Sequence, residues 1–158
     1  MAMMFEAANA SRRCSILATD FDRRMLARAQ AGGPYPTNEM RNVSDERKER
    51  YFEQRDGKNF VKRSLRSRVT FKELNLLNDD FLTGFDLILC RNVMIYFSGE
   101  VKLALIGRFW DSLRPGGVLF IGATEALLGK EAKDFERIGG NFYLKPASAV
   151  ARGSLDAA

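Results

Sequence analysis

The sequence predicts an α/β fold on a mostly parallel sheet, and three features carry that expectation. Short apolar segments alternate with segments of helical spacing, in the order strand, helix, strand, helix, strand. One of them, Leu87 to Cys90, is a continuous apolar run that stops abruptly at Arg91 and Asn92. Strands buried on both faces of a parallel sheet read this way. Near the C-terminus, Gly139-Gly140-Asn141 is a hairpin-like turn that adds an antiparallel strand.

Taken in order, Ser15 to Thr19 is a short apolar strand ending at Asp20. Arg23 to Gln30 follows with helical spacing, Met25, Leu26 and Ala29 sharing a face, and Gly32-Gly33-Pro34-Tyr35-Pro36 stops it. Ser44 to Phe52 is a polar helix with Ser44 as its cap and Asp45 and Glu46 in its first turn. Phe60-Val61-Lys62 and Arg68 to Leu74 are short strands, and Asn75-Leu76-Leu77-Asn78 turns after the second. Phe85 to Cys90 is the next strand. The helix from Gly99 to Leu113 buries Val101, Leu105, Phe109 and Leu113 at i, i+4 spacing, with Ile106 and Trp110 widening the face. Pro115-Gly116-Gly117 ends it and leaves Val118 to Ile121 as a strand, with Phe142-Tyr143-Leu144 as the last. Residues 1–146 form one domain, and the small, polar residues 147–158 read as a disordered tail.

Composition narrows the chemistry. The chain of 158 residues is 46% hydrophobic and 28% charged, ordinary for a globular domain. It holds no stretch near the ~20 apolar residues of a membrane span, and Met1 to Ala10 lacks the pattern of a secretion signal. Cys14 and Cys90 make no disulfide framework and fit reduced thiols in a cytoplasmic protein. Histidine is absent, which excludes His triads, His bases and His metal ligands; no metal site is expected.

The net charge of +5 is uneven. Between Arg12 and Glu73 there are 16 Lys and Arg against 9 Asp and Glu; the remainder has 9 against 11. A basic half points to an acidic partner, though the interleaved signs from Asp45 to Arg55 equally fit a solvated helix. No aromatic-interleaved basic motif is present, so no nucleic acid is expected.

Open α/β sheets bind ligands past the carboxyl ends of their strands. Asp20 ends the first strand, where a carboxylate suits a ribose diol, although Asp20 or Asp22 would equally serve as a helix cap. Arg91, Asn92 and Tyr96 follow the strand at Phe85: a planar fork for a carboxylate, an amide for a cofactor or the loop, and an aromatic face beside a cation. The alternative is a capped strand end with Tyr96 in the core. Gly122-Ala123-Thr124-Glu125 lies at another strand end, with a glycine that permits close backbone approach.

These residues carry a family resemblance. From about Ser15 to Lys145 the chain resembles the catalytic domain of the CheR-type chemoreceptor methyltransferases. The matching stretches are Ile16-Leu17-Ala18-Thr19-Asp20, Met40-Arg41-Asn42-Val43, Asn75-Leu76-Leu77, Phe85 to Phe97 and Leu113 to Leu119. The resemblance implies a Rossmann-like class I methyltransferase sheet and an enzyme that uses S-adenosylmethionine to esterify glutamate side chains of acidic chemoreceptor-like proteins. It implies Asp20 as the ribose ligand, Asn75 and Leu76 as the pair flanking adenine, Arg91 and Asn92 as cofactor contacts, and Tyr96 as the active-site tyrosine.

The chain departs from the family in places. No glycine precedes Gly32, so the family's first strand and Gly-rich cofactor loop are expected to be missing, as in an N-terminally truncated domain. Strands left without that neighbour would expose hydrogen-bonding edges, from which we expect a homo-oligomer or a complementing chain. Ala123-Thr124 stands where the family has His-Ser. The rival expectation is a catalytically inactive methyltransferase fold acting as a binding or regulatory module.

Overall fold

The computed structural model describes residues 1–122, 127 and 134–148. These fall into two compact units, Met1–Asn75 and the residues from Leu76 onward. The described residues form a mixed α/β structure with parallel and antiparallel pairing. None of their helices is long and apolar enough to cross a membrane. The expected tail lies, from residue 149, outside the described residues.

The first unit runs α1 (Ala2–Ala7), β1 (Ile16–Asp20), α2 (Arg23–Ala31), α3 (Asp45–Tyr51), β2 (Phe52–Arg55), β3 (Lys58–Val61), α4 (Arg63–Arg66) and β4 (Val69–Glu73). β1 and β4 pair in parallel from Ile16 opposite Val69 to Asp20 opposite Glu73. Asp22 caps α2, its carboxylate accepting from the Arg24 and Met25 N–H groups. Gly32 ends that helix in the left-handed conformation, φ 82°, and a Cβ there would lie 2.8 Å from the Val61 carbonyl oxygen. Both the backbone angle and the close approach demand glycine.

Ser44 caps α3 as the sequence predicts, accepting from the Arg47 N–H at 3.4 Å. The helix stops one residue earlier than expected, because Phe52 begins β2. That strand pairs antiparallel with β3 across a turn at Asp56-Gly57, whose φ values are 48° and 70°. Asp-Gly with two positive φ angles is the tight-hairpin preference, and the ladder it closes captures Phe52 from the helix. The strand expected at Phe60-Val61-Lys62 accordingly runs from Lys58 to Val61.

The second unit holds β5 (Phe85–Cys90), α5 (Gly99–Ser112), β6 (Leu113–Ile121), β7 (Glu136–Gly139) and β8 (Phe142–Leu144). They form one sheet in the order β5-β6-β8-β7. β5 and β6 are parallel, and β8 is antiparallel to both β6 and β7.

The helix does not extend to Leu113, nor does Pro115-Gly116-Gly117 separate it from the next strand. α5 ends at Ser112, and β6 starts at Leu113 and runs through the Pro-Gly-Gly segment. Pairing on both sides explains the difference. Leu113 lies opposite Phe85, Val118 lies opposite Leu87, and the residues between them bulge over Asp86. Across the other edge, the Gly116 N–H donates to the Lys145 carbonyl and the Lys145 N–H to the Gly117 carbonyl, each at 2.8 Å. Arg114 closes the bulge with an ion pair to Asp86 at 2.6 Å.

The core of this unit lies between α5 and one face of the sheet. Leu105, Ile106, Phe109 and Trp110 pack with Cys90, Leu119, Ile121 and Tyr143, all buried. Each such aliphatic side chain contributes roughly 1.5–3 kcal/mol of burial. Buried Lys145 finishes the helix: its ammonium donates to the Trp110 and Leu113 carbonyls, both at 2.8 Å. Cys14 and Cys90 are not joined in a disulfide.

The expectation that Leu87 to Cys90 is buried on both faces is not met. Leu89 is 44% exposed and Phe142 42%. α5 packs on one face only, and the pleat sends alternate side chains to the other. There Leu87, Val118 and Leu144 form one cross-strand row, and Leu89, Phe120 and Phe142 the next. Phe120 and Phe142 stack with ring centroids 4.3 Å apart.

Candidate functional site

In the first unit the parallel pairing of β1 with β4 brings two carboxylates to the same carboxyl end, Asp20 opposite Glu73. The structure separates their roles. Glu73 takes an ion pair, with Arg23 Nε donating to its Oε2 at 2.7 Å. That hydrogen bond, and then the charge behind it, raises the Arg23 guanidinium pKa above its ordinary value. Asp20 is exposed, and its Oδ1 accepts from the Asp22 N–H at 2.9 Å. The sequence left open whether Asp20 or Asp22 caps the helix. Asp22 does, so the Asp20 carboxylate is held at a strand end by one backbone donor without serving the helix. Asn75 follows β4 by two residues and is half-buried.

The remaining candidates belong to the second unit. Leu76 is half-buried in the turn that leads toward β5, and its carbonyl accepts from Arg108 at 2.6 Å. Arg91 and Asn92 are exposed immediately past Cys90. Asn92 adopts the left-handed conformation, φ 58°. Asparagine tolerates it, and such conformations cluster where a backbone is shaped for a ligand. The Arg91 guanidinium lies 5.5 Å over the Phe120 ring.

Tyr96 ends a 3-10 turn, Met94–Tyr96, in which Met94 is the anchor at 2% exposure while Tyr96 is 79% exposed. The alternative that placed Tyr96 in the core is overturned: the turn puts Met94 inward and Tyr96 outward. Asp20 and Asn75 thus follow paired strand ends in the first unit. Arg91, Asn92 and Tyr96 share one loop with the β5 terminus in the second, apart from Leu76 in sequence. Ala123, Thr124 and Glu125 lie outside the described residues; the Gly122 carbonyl accepts from the Asn141 side chain at 2.7 Å.

Three participants, Arg23, Glu73 and Arg108, carry little local signal in the sequence. Glu73 looked like the end of an alternating strand, and nothing local revealed that Arg23 would reach it from 50 positions away. For Arg108 the one local hint is its place beside core residue Phe109, at the border of the buried face.

Comparison with known proteins identifies the family. The profile of the family described as CheR methyltransferase, SAM binding domain, matches residues 1–144. A chemotaxis protein methyltransferase 1 of Pseudomonas aeruginosa is 50% identical over 115 residues, covering 71% of this chain and 42% of the relative. A chemotaxis protein methyltransferase of Listeria monocytogenes is 37% identical over 145 residues, covering 92% of this chain and 55% of the relative. One of Vibrio parahaemolyticus is 41% identical over 126 residues, covering 78% and 46%. The chain therefore spans about half the length of the curated relatives it matches. The matched domain is the cofactor-binding one, and the cofactor is S-adenosylmethionine. The chain belongs to the CheR methyltransferase family.

Proposed function

We propose that this chain contributes to the cofactor site of a methyltransferase that esterifies glutamate side chains of chemoreceptor-like proteins. The observation that carries the reading is Asp20. Its carboxylate is exposed at the carboxyl end of a parallel strand, oriented by the Asp22 N–H and relieved of helix capping by Asp22. A carboxylate so placed accepts two hydroxyl hydrogen bonds, which fits the ribose of S-adenosylmethionine.

The other candidates fit the rest of the cofactor. Asn75 and Leu76 would flank the adenine. Arg91 and Asn92 would contact the cofactor past β5, the latter through its left-handed backbone. Exposed Tyr96 would turn an aromatic face and a hydroxyl toward the reacting centre. When bound, the cofactor supplies an electrophilic methyl group on a sulfonium. A glutamate acceptor is already ionised at neutral pH, so the chain needs no general base, and alignment does most of the work. A basic segment from Arg12 to Lys72 suits the approach of an acidic receptor helix.

The finer fold reading is a class I sheet whose first strand and Gly-rich loop are not among these residues. It is supported by the absence of glycine before Gly32. We infer that this part is supplied by polypeptide outside the 158 residues, by a complementing chain, or by a second copy.

Calorimetric titration of the chain with S-adenosylhomocysteine tests the proposal. Micromolar binding supports it. No detectable heat at high ligand overturns it for the chain on its own.

A further inference from the structure

We propose that Arg108 is a positioning residue for the adenine end of the cofactor, holding the loop between β4 and β5 in its binding conformation. The inference rests on the reading that Leu76 flanks the adenine.

Three residues of this loop converge on adjacent residues of α5. One guanidinium nitrogen of Arg108 donates to the Leu76 carbonyl at 2.6 Å, and the other terminal nitrogen donates to the Asp79 carbonyl. The guanidinium carbon lies 4.0 Å from the Phe81 ring centroid. Phe81 in turn packs against Phe109, centroids 5.7 Å apart at 34°. Residues 76, 79 and 81 are therefore tied to residues 108 and 109, and α5 itself is anchored in the core by Leu105, Ile106 and Phe109.

Arginine is specifically suited to this work. Its planar fork reaches two acceptors while its face stacks on an aromatic ring, a combination a lysine ammonium cannot supply. Both oxygens it binds are backbone carbonyls, so the guanidinium fixes peptide planes. Pinning the Leu76 carbonyl fixes the plane of the Leu76–Leu77 peptide and so restrains the backbone from which the Leu76 side chain projects. A loop residue in contact with a flat heterocycle loses affinity quickly when its backbone wanders, and pre-ordering it removes that cost from binding.

The test compares the unaltered chain with Arg108→Ala and Arg108→Lys. Hydrogen exchange reports the loop at residues 76–82, circular dichroism reports the fold, and calorimetry reports affinity for S-adenosylhomocysteine and for 5′-methylthioadenosine, which keeps the adenosine end. We expect R108A to loosen the loop selectively and to weaken both ligands by about ten-fold, the scale of one lost charge-assisted hydrogen bond. R108K, should R108A fold poorly, is expected to recover the fold while recovering affinity only in part. Unchanged affinity in a folded variant with a loosened loop overturns the positioning role alone. Full recovery by R108K also overturns it, since a point charge would then suffice. Failure of the unaltered chain to bind either ligand overturns the cofactor reading, and the positioning role falls with it.

Discussion

Gly117, in the bulged stretch of β6, lies so near Phe85 of the parallel neighbour that a Cβ on the glycine would sit 2.9 Å from the Phe85 carbonyl oxygen. The same Cβ would meet the Arg114 carbonyl oxygen at 2.9 Å and the Leu113 side chain at 3.0 Å. Two of the three obstacles are backbone and cannot swing aside. Gly117→Ala is expected to destabilise the chain by roughly 1–3 kcal/mol, as overpacking does. Gly116→Ala meets nothing within 4 Å but must hold φ 79°, so its cost is backbone strain alone, about 1 kcal/mol. Urea unfolding of the pair checks the order. A Gly117 variant as stable as the Gly116 variant would show that the ladder yields at this point.

Lys145 makes a second stability prediction. Its buried ammonium satisfies two carbonyls at the end of α5 and lies 5.0 Å from the Trp110 ring centroid. Lys145→Met keeps the stem and strands those oxygens, and the expected loss is about 3 kcal/mol for charge-assisted bonds in a buried site. Thermal unfolding measures it; a loss below about 1 kcal/mol, the worth of an exposed ion pair, contradicts the role assigned.

At the start of α3, the hydrogen bond from Lys48 at 2.8 Å, and after it the Lys48 charge, lower the Asp45 carboxyl pKa below its ordinary value. A folded pKa lower than the unfolded one favours the native state above the ordinary aspartate range. The benefit is lost as pH falls through the lowered native value. Asp45 is fully exposed, so its titration is the measurable quantity. Carbon-13 NMR should place its midpoint below that of a free aspartate, and Lys48→Ala should move it upward. A midpoint indifferent to Lys48 would show that the pair does not persist in solution.

The proposed cofactor site yields a paired prediction. Asp20→Ala should weaken S-adenosylhomocysteine by ~1.5–3 kcal/mol while leaving the melting temperature nearly unchanged. Asp22→Ala should cost about 1 kcal/mol of stability through loss of the α2 cap. A large loss of stability in the Asp20 variant would reassign that carboxylate to the fold.

Much of the architecture was legible because local chemistry and tertiary structure agree. β5 occupies the predicted Phe85 to Cys90, and α2 is closed by Gly32 where the glycine pair predicts a stop. Ser44 caps α3. The misreadings share one cause, long-range pairing that local pattern does not encode. Phe52 left its helix for a hairpin whose Asp56-Gly57 turn was visible but unread. Leu113 to Gly117 joined a strand because Phe85 and Lys145 lie on either side. Leu89 reads as buried in any apolar run, and only the one-sided packing of α5 explains its exposure. In the candidate site, the positions of Asp20, Arg91, Asn92 and Tyr96 after strand ends are legible from the sequence. Arg23, Glu73 and Arg108 are not, because each acts through a partner tens of residues away.

The separation of Asp20 from the capping role of Asp22 has a practical consequence for anyone altering this chain. In many helices that follow a strand, one acidic residue both starts the helix and meets the ligand, so any change confounds recognition with folding. Here Asp22 alone caps the helix, two positions from the Asp20 carboxylate proposed for the ligand. Position 20 can thus be exchanged, for an amide or a longer acid, to probe its proposed ribose contact, with the scaffold serving as its own internal control.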